Sequence, residues 1–254
     1  MSEVNFSLKG KNALVTGASR GIGEAIARTF AANGARVMLA SRKQEDLDKV
    51  AGDIKKAGGA ALAMACHTGQ LAQINALLEK TAAEFGRIDI LVNNAATNPY
   101  FGDVLGISES QFDKTFEVNV KGYYFMAQGA AKRMVKQGGG CIINVASIAG
   151  LIGPPMQGVY GMTKAAVILM TKAFAKELGP FKVRCNAICP GLTETKFSKV
   201  LIETKAIHDL AITQIPLKRH AQPSELAGAA LYLASDAASF TTGAILAVDG
   251  GTTA

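Results

Sequence analysis

The chain has 254 residues, 49% apolar and 19% charged, which supplies ample material for a buried core and excludes a disordered chain. Lysine and arginine exceed aspartate and glutamate by seven, 27 against 20. The basic residues are scattered from Lys9 to Arg219, and their densest groups, Lys132-Arg133 with Lys136 and Lys218-Arg219, lack interleaved aromatics, so the pattern argues for a small anionic ligand and against nucleic acid.

No apolar run approaches the roughly 18 residues of a membrane span, and residues 1–5 carry neither a basic nor an apolar leader segment, so no membrane contact and a cytoplasmic location are expected. Cys66, Cys141, Cys185 and Cys189 have no CxxC spacing and no neighbouring histidines that would complete a zinc site. They read as reduced, mostly buried thiols, and no metal is expected.

In chain order, short β-branched runs at 12–16, 36–40, 60–65, 88–93, 141–145, 183–188 and 244–248 read as seven strands. Helical periodicity fills the gaps at 22–32, 45–56, 71–85, 111–136 and 159–178. This alternation predicts a single doubly wound α/β domain over residues 1–254, with a seven-stranded parallel sheet and right-handed crossovers. The glycine run 138–140 leads straight into a strand and is a tight turn, not a linker. Residues 192–214, after Pro190-Gly191, break the alternation and are expected to form a mobile insertion, a substrate lid.

The first strand runs directly into Thr16-Gly17-Ala18-Ser19-Arg20-Gly21-Ile22-Gly23 and then a helix. A pyrophosphate needs a turn free of side chains and open N–H groups at a helix start, where the backbone dipole favours negative charge. Gly17, Gly21 and Gly23 supply that turn in a GxxxGxG spacing, with Ser19, Arg20 and Ile22 between them.

Further motifs follow in order: Asn93-Asn94-Ala95, Asn119-Val120-Lys121-Gly122, Ser147, Tyr160 with Lys164, Pro190-Gly191, and Val248-Asp249-Gly250-Gly251. On these residues the whole chain resembles the classical short-chain dehydrogenase/reductase family, which implies a Rossmann fold and a nicotinamide cofactor. Ser41-Arg42-Lys43, Cys66-His67 and Asn98-Pro99-Tyr100-Phe101-Gly102 look most like its NADPH-dependent carbonyl and retinal reductase branch.

An acidic residue after the second strand would bind a ribose diol and repel a 2′-phosphate, whereas arginine pairs with that phosphate. Ser41 and Arg42, with Arg20 from the glycine turn, therefore favour NADP(H). Family members usually carry an acidic residue after the third strand to hold the adenine amino group. His67 stands there in this chain, and its imidazole is expected to accept in its place.

Tyr160 and Lys164 lie four apart on one helix face. A tyrosine must be shifted down by roughly 3 units to exchange protons near neutrality, and an adjacent ammonium supplies part of that. The resemblance implies that Tyr160 protonates the carbonyl oxygen and Ser147 holds it. Lys164 would lower the tyrosine pKa and bind the nicotinamide ribose, and Asn119 would carry a water that links Lys164 to solvent. By the same resemblance Asn93 tethers backbone around the cofactor, Ala95 leaves room for the ribose, and Pro190, Gly191, Thr193 and Thr195 cradle carboxamide and diphosphate. Tyr100, Phe101, Pro154, Pro155, Met156 and Leu192 suit an apolar pocket.

The expected activity is NADPH-dependent reduction of an aldehyde or ketone carried on an apolar small molecule. A 3-oxoacyl-carrier-protein reductase would share every catalytic residue, and a non-catalytic cofactor sensor is the alternative of another class. A homotetramer is expected as well, because the helical stretches 111–136 and 159–178 carry Tyr123, Tyr124, Ala127, Ala130, Ala165, Ile168, Leu169 and Phe174, more apolar surface than one sheet face covers.

Overall fold

The computed structural model describes residues 4–254. β1 (Asn12–Thr16) feeds α1 (Gly21–Ala32), β2 (Arg36–Ser41) feeds α2 (Gln44–Lys56), and β3 (Ala60–Ala65) feeds α3 (Leu71–Phe85). After β4 (Ile90–Asn93) come α4 (Glu109–Phe116), a π turn (Glu117–Lys121) and α5 (Gly122–Lys136). The chain continues through β5 (Gly140–Val145), α6 (Ala149–Ile152), α7 (Gly158–Leu178) and β6 (Val183–Pro190), then α8 (Lys199–Glu203), α9 (Lys205–Gln214), α10 (Pro223–Ala234) and β7 (Ile245–Val248).

All seven strands pair in parallel in the order β3-β2-β1-β4-β5-β6-β7. The order reverses between β1 and β4, which opens a crevice at the carboxyl ends of those strands. Strands buried on both faces need continuous apolar sequence, and NALVT in β1 and ILVN in β4 are wholly buried. One side of the sheet carries α1, α2 and α10 through Ile26, Phe30, Leu47, Ile54, Leu226 and Leu233. The other carries α3, α5 and α7 through Ile74, Leu78, Met126, Met134 and Ala175.

Local chemistry sets the helix ends. Glu45 and Asp46 open α2 and Lys55 and Lys56 close it, complementing its dipole. Ser108 and Gln111 form a capping box on α4, and Pro223 sits in the first turn of α10.

Three expectations change. The single helix expected over 111–136 is interrupted by the π turn, which packs so closely on the turn after β3 that a side chain at Gly122 would collide with the Thr68 carbonyl. Residues 192–214 are not irregular throughout, since they contain α8 and α9. Of the apolar residues expected to seek a partner chain, Tyr123, Ala127, Ala130 and Ile168 are buried within this chain, while Tyr124, Ala165 and Leu169 are exposed. The four cysteines are free and buried. Among the described residues no helix is long and apolar enough to cross a membrane.

Candidate active site

The glycine turn closes on itself at the mouth of the crevice. Gly17 and Gly21 hold φ of 65° and 60°, a region that disfavours side chains. A Cβ at Gly17 would come within 2.6 Å of Asn94 Nδ2, and one at Gly21 within 3.1 Å of Thr195 Cγ2. The helix that follows starts at Gly21 from an extended Arg20, and no side chain caps its first N–H groups. They are open to an anion.

Ala18 N donates to Ala40 O at 3.1 Å, which brings the turn against the end of β2. There the Ser41 hydroxyl is buried without a hydrogen-bond partner. Such a group calls for an acceptor or donor from a bound molecule. Arg20 and Arg42 are both exposed, and neither has an ion-pair partner among the described residues. An uncapped helix start, an unpartnered buried hydroxyl and two unpaired guanidiniums fit a phosphorylated dinucleotide.

Asn94 and Thr16 do the tethering expected of Asn93. Asn94 Nδ2 donates to Thr16 O at 3.0 Å and Gly17 O at 3.2 Å, while Thr16 Oγ1 accepts from the backbone of Asn94 and Ala95. The Asn93 amide instead donates to Tyr123 O at 3.2 Å and Asn144 Oδ1 at 3.1 Å, behind the crevice floor. The sequence signal for the true tether was the doubled asparagine itself: successive strand residues point to opposite faces, so only one of the two can reach the turn.

Pro190 and Gly191 leave β6 against Val248, to which Gly191 N donates at 3.0 Å. Thr193 is buried, with its hydroxyl donating to Gly191 O at 3.1 Å. Thr195 reaches across to Gly21, so the segment after β6 lies against the glycine turn. Ser19 and Arg20 line a groove continued by Lys49 and Val50 of α2. His67 Nδ1 accepts from Gly69 N at 3.0 Å, and its Nε2 faces Lys114 Nζ at 3.2 Å.

Deeper in the crevice, Ser147 follows β5, and Tyr160 and Lys164 project from α7. The Ser147 hydroxyl accepts from Ala149 N at 3.1 Å and lies beside the Tyr160 phenol. Burial pushes that phenol up to about 12, with the serine contact working the other way. Lys164 Nζ donates to Val145 O at 2.8 Å and lies 5.6 Å from the Tyr160 ring centre. Lys164 is fully buried, and that burial brings it down to about 7, with Cys189 pulling in the opposite direction.

Asn119 sits at the centre of the π turn. Its Oδ1 accepts from Thr97 N at 2.8 Å, and its Nδ2 donates to Thr97 O at 2.9 Å and Thr163 Oγ1 at 3.2 Å. The amide thus pins α7 one residue before Lys164. Three of the four hydrogen-bonding positions of its side chain are taken by protein groups, and one Oδ1 lone pair remains.

A cleft beside Tyr160 is lined by Tyr100, Val104, Ile107, Met156 and Val159. Gly102 N donates to Met156 O at 3.0 Å and stitches the two cleft loops together, with Met156 held at a φ of 65°. Phe197, from the segment before α8, lays its ring 5.5 Å from that of Tyr160. Sequence reading did not single out this residue, because a lone phenylalanine in an aperiodic stretch carries no signal of its own.

A family model described as enoyl-(acyl carrier protein) reductase matches residues 17–253. The chain belongs to the short-chain dehydrogenase/reductase family. Dehydrogenase/reductase SDR family member 4 of Mus musculus is 38% identical over 245 residues, covering 96% of this chain and 88% of that protein. A short-chain type dehydrogenase/reductase from Mycobacterium marinum superposes with a TM-score of 0.93 at 41% identity, covering 98% of this chain and 97% of the other. A gluconate 5-dehydrogenase from Burkholderia cenocepacia, solved with NADP and tartrate, gives 0.95 at 34% identity, with 98% of both chains covered. Membership of this family makes the protein an oxidoreductase acting on small molecules with a nicotinamide dinucleotide.

Proposed function

We propose that the protein is an NADPH-dependent carbonyl reductase that reduces an aldehyde or ketone on an apolar small molecule, in the cytoplasm. The observation that carries the reading is that Ser147 and Lys164 both lie beside Tyr160, next to a largely apolar cleft. Bound NADPH supplies the hydride. Arg20, Ser41 and Arg42 hold its 2′-phosphate, and the N–H groups around Gly21 to Gly23 meet its diphosphate, with Thr195 closing over them.

The substrate oxygen rests on the Ser147 hydroxyl, and Tyr160 O–H donates its proton there as negative charge grows. Lys164 binds the ribose hydroxyls and, from that position, its charge favours the phenolate left on Tyr160. A water held at Asn119 would link Lys164 to solvent, and the Asn119 Oδ1 keeps one lone pair for it. Residues 192–214 act as a lid whose Phe197 covers Tyr160.

The cleft lining is mainly apolar, with Asp103 and Gln157 among its polar side chains, and carries no arginine or lysine to pair with a substrate carboxylate, which favours neutral carbonyls over sugar acids. The test is NADPH consumption, followed at its near-ultraviolet absorbance, against aldehydes, diketones, quinones and a 3-oxoacyl thioester. Turnover confined to the thioester would replace this reading with the carrier-protein reductase. A chain that binds NADPH yet turns over none of them is a cofactor sensor.

The assembly proposed is a homotetramer. Tyr124 and Leu169 leave apolar surface on α5 and α7, and β7 ends the sheet with an unpaired edge, which together supply two different two-fold contacts.

A further inference from the structure

We propose that Tyr123 is a positioning residue for Lys164, holding the ammonium inside the crevice in the ligand-free enzyme; this rests on the carbonyl-reductase reading for its catalytic consequence. Tyr123 lies in the first turn of α5, one helical turn beyond Asn119, and is among the largest fully buried side chains. A buried phenol needs a partner for its hydroxyl, and here it donates to Val145 O at 3.1 Å. That carbonyl is the one to which Lys164 Nζ donates at 2.8 Å. Nζ also donates to the Tyr123 hydroxyl itself at 3.4 Å and lies 5.0 Å above the Tyr123 ring centre. One side chain therefore gives the ammonium a hydroxyl acceptor and an aromatic face at once.

The arrangement answers a physical need. A buried ammonium without a counter-ion is costly and tends to neutralise or swing away. The ionisable groups that face Lys164 are Tyr123 from α5, Tyr160 on its own helix and Cys189 from β6, and among the described residues no carboxylate pairs with it. Tyr123 is thus the neutral substitute for the missing carboxylate. Its own backbone is fixed by Asn93 at 3.2 Å, which gives that asparagine an indirect part in the site.

The hydroxyl favours the charged lysine, so removing it lowers the pH at which Lys164 loses its proton. The test is NMR titration of the ligand-free protein carrying 13C at the lysine ε carbons, with the Lys164 signal assigned by its loss in Lys164→Met. In Tyr123→Phe, which keeps the ring, the midpoint is expected to fall by about half a unit, and in Tyr123→Leu, which also loses the aromatic face, by about one unit. Tyr232→Phe, which removes a phenol bonded to Thr241 on the far side of the sheet, is expected to leave it unchanged. In turnover, the alkaline limb of kcat/KM shifts the same way in Tyr123→Phe. Identical Lys164 titrations in wild type and Tyr123→Phe overturn the proposal. If the wild type reduces no carbonyl, the functional reading falls, and the titration still decides the role of Tyr123.

Discussion

Asn94 holds the phosphate turn from outside it, by donating from one amide nitrogen to two consecutive carbonyls, those of Thr16 and Gly17. The turn is therefore shaped before any ligand arrives, which lowers the ordering cost of binding. Asn94→Ala leaves both carbonyls without this donor. We expect a loss of about 1–3 kcal/mol in NADPH affinity, roughly a 5- to 150-fold rise in Kd, read by cofactor fluorescence. An unchanged Kd would show that the turn keeps its shape unaided.

Tyr160→Phe removes the acid and keeps the ring that packs on Phe197. Carbonyl reduction should fall by at least ~100-fold while NADPH binding stays within about twofold. Lys164→Ala should impair both. Comparable turnover in Tyr160→Phe would assign the proton to another group.

Arg42→Asp replaces an unpaired guanidinium with a like charge for a 2′-phosphate. KM for NADPH should rise by at least ~10-fold with little change for NADH, as measured in parallel titrations. Equal effects on the two cofactors would place the phosphate elsewhere.

Lys164 titrates near 7 in the folded chain against 10.5 unfolded, because burial disfavours its charge. Between those values the unfolded chain binds the extra proton, so this lysine makes stability rise with pH, and its contribution is lost as pH falls through 7. From pH 7 to 9, below the range where the buried thiols and the Tyr160 phenol act oppositely, the ligand-free wild type should gain in Tm relative to Lys164→Met. Parallel melting curves across that range would contradict the assignment.

Light scattering at micromolar concentration should give four times the mass of a single chain. Leu169→Glu, which charges the exposed face of α7, should halve it to a dimer without altering the fold by circular dichroism.

The alternation of strands and helices was legible because a parallel sheet buried on both faces demands apolar runs such as ILVN, and its crossovers demand helical periodicity. The glycine turn and the Tyr160 and Lys164 pair were legible because their spacing is the chemistry. What escaped depends on contacts between distant segments. Whether Asn93 or Asn94 reaches the turn depends on strand phase, Lys114 comes to face His67 from a helix 47 residues away, and Tyr123 reads as surplus apolar surface until the fold sets its hydroxyl beside Lys164. The interruption at Glu117–Lys121 carries no residue that breaks a helix, so it too was invisible.

That interruption works as a phase shifter. An α-helix advances about 100° per residue, so the one residue gained in a π turn rotates everything after it relative to what came before. Tyr123 faces Lys164 only because α5 starts from this displaced angle. A chain shortened by one residue between Glu117 and Lys121 could heal into a regular helix with its apolar stripe turned by that amount, so insertions and deletions here would be felt as a change of bearing along all fifteen residues of α5, while substitutions would be felt only where they fall.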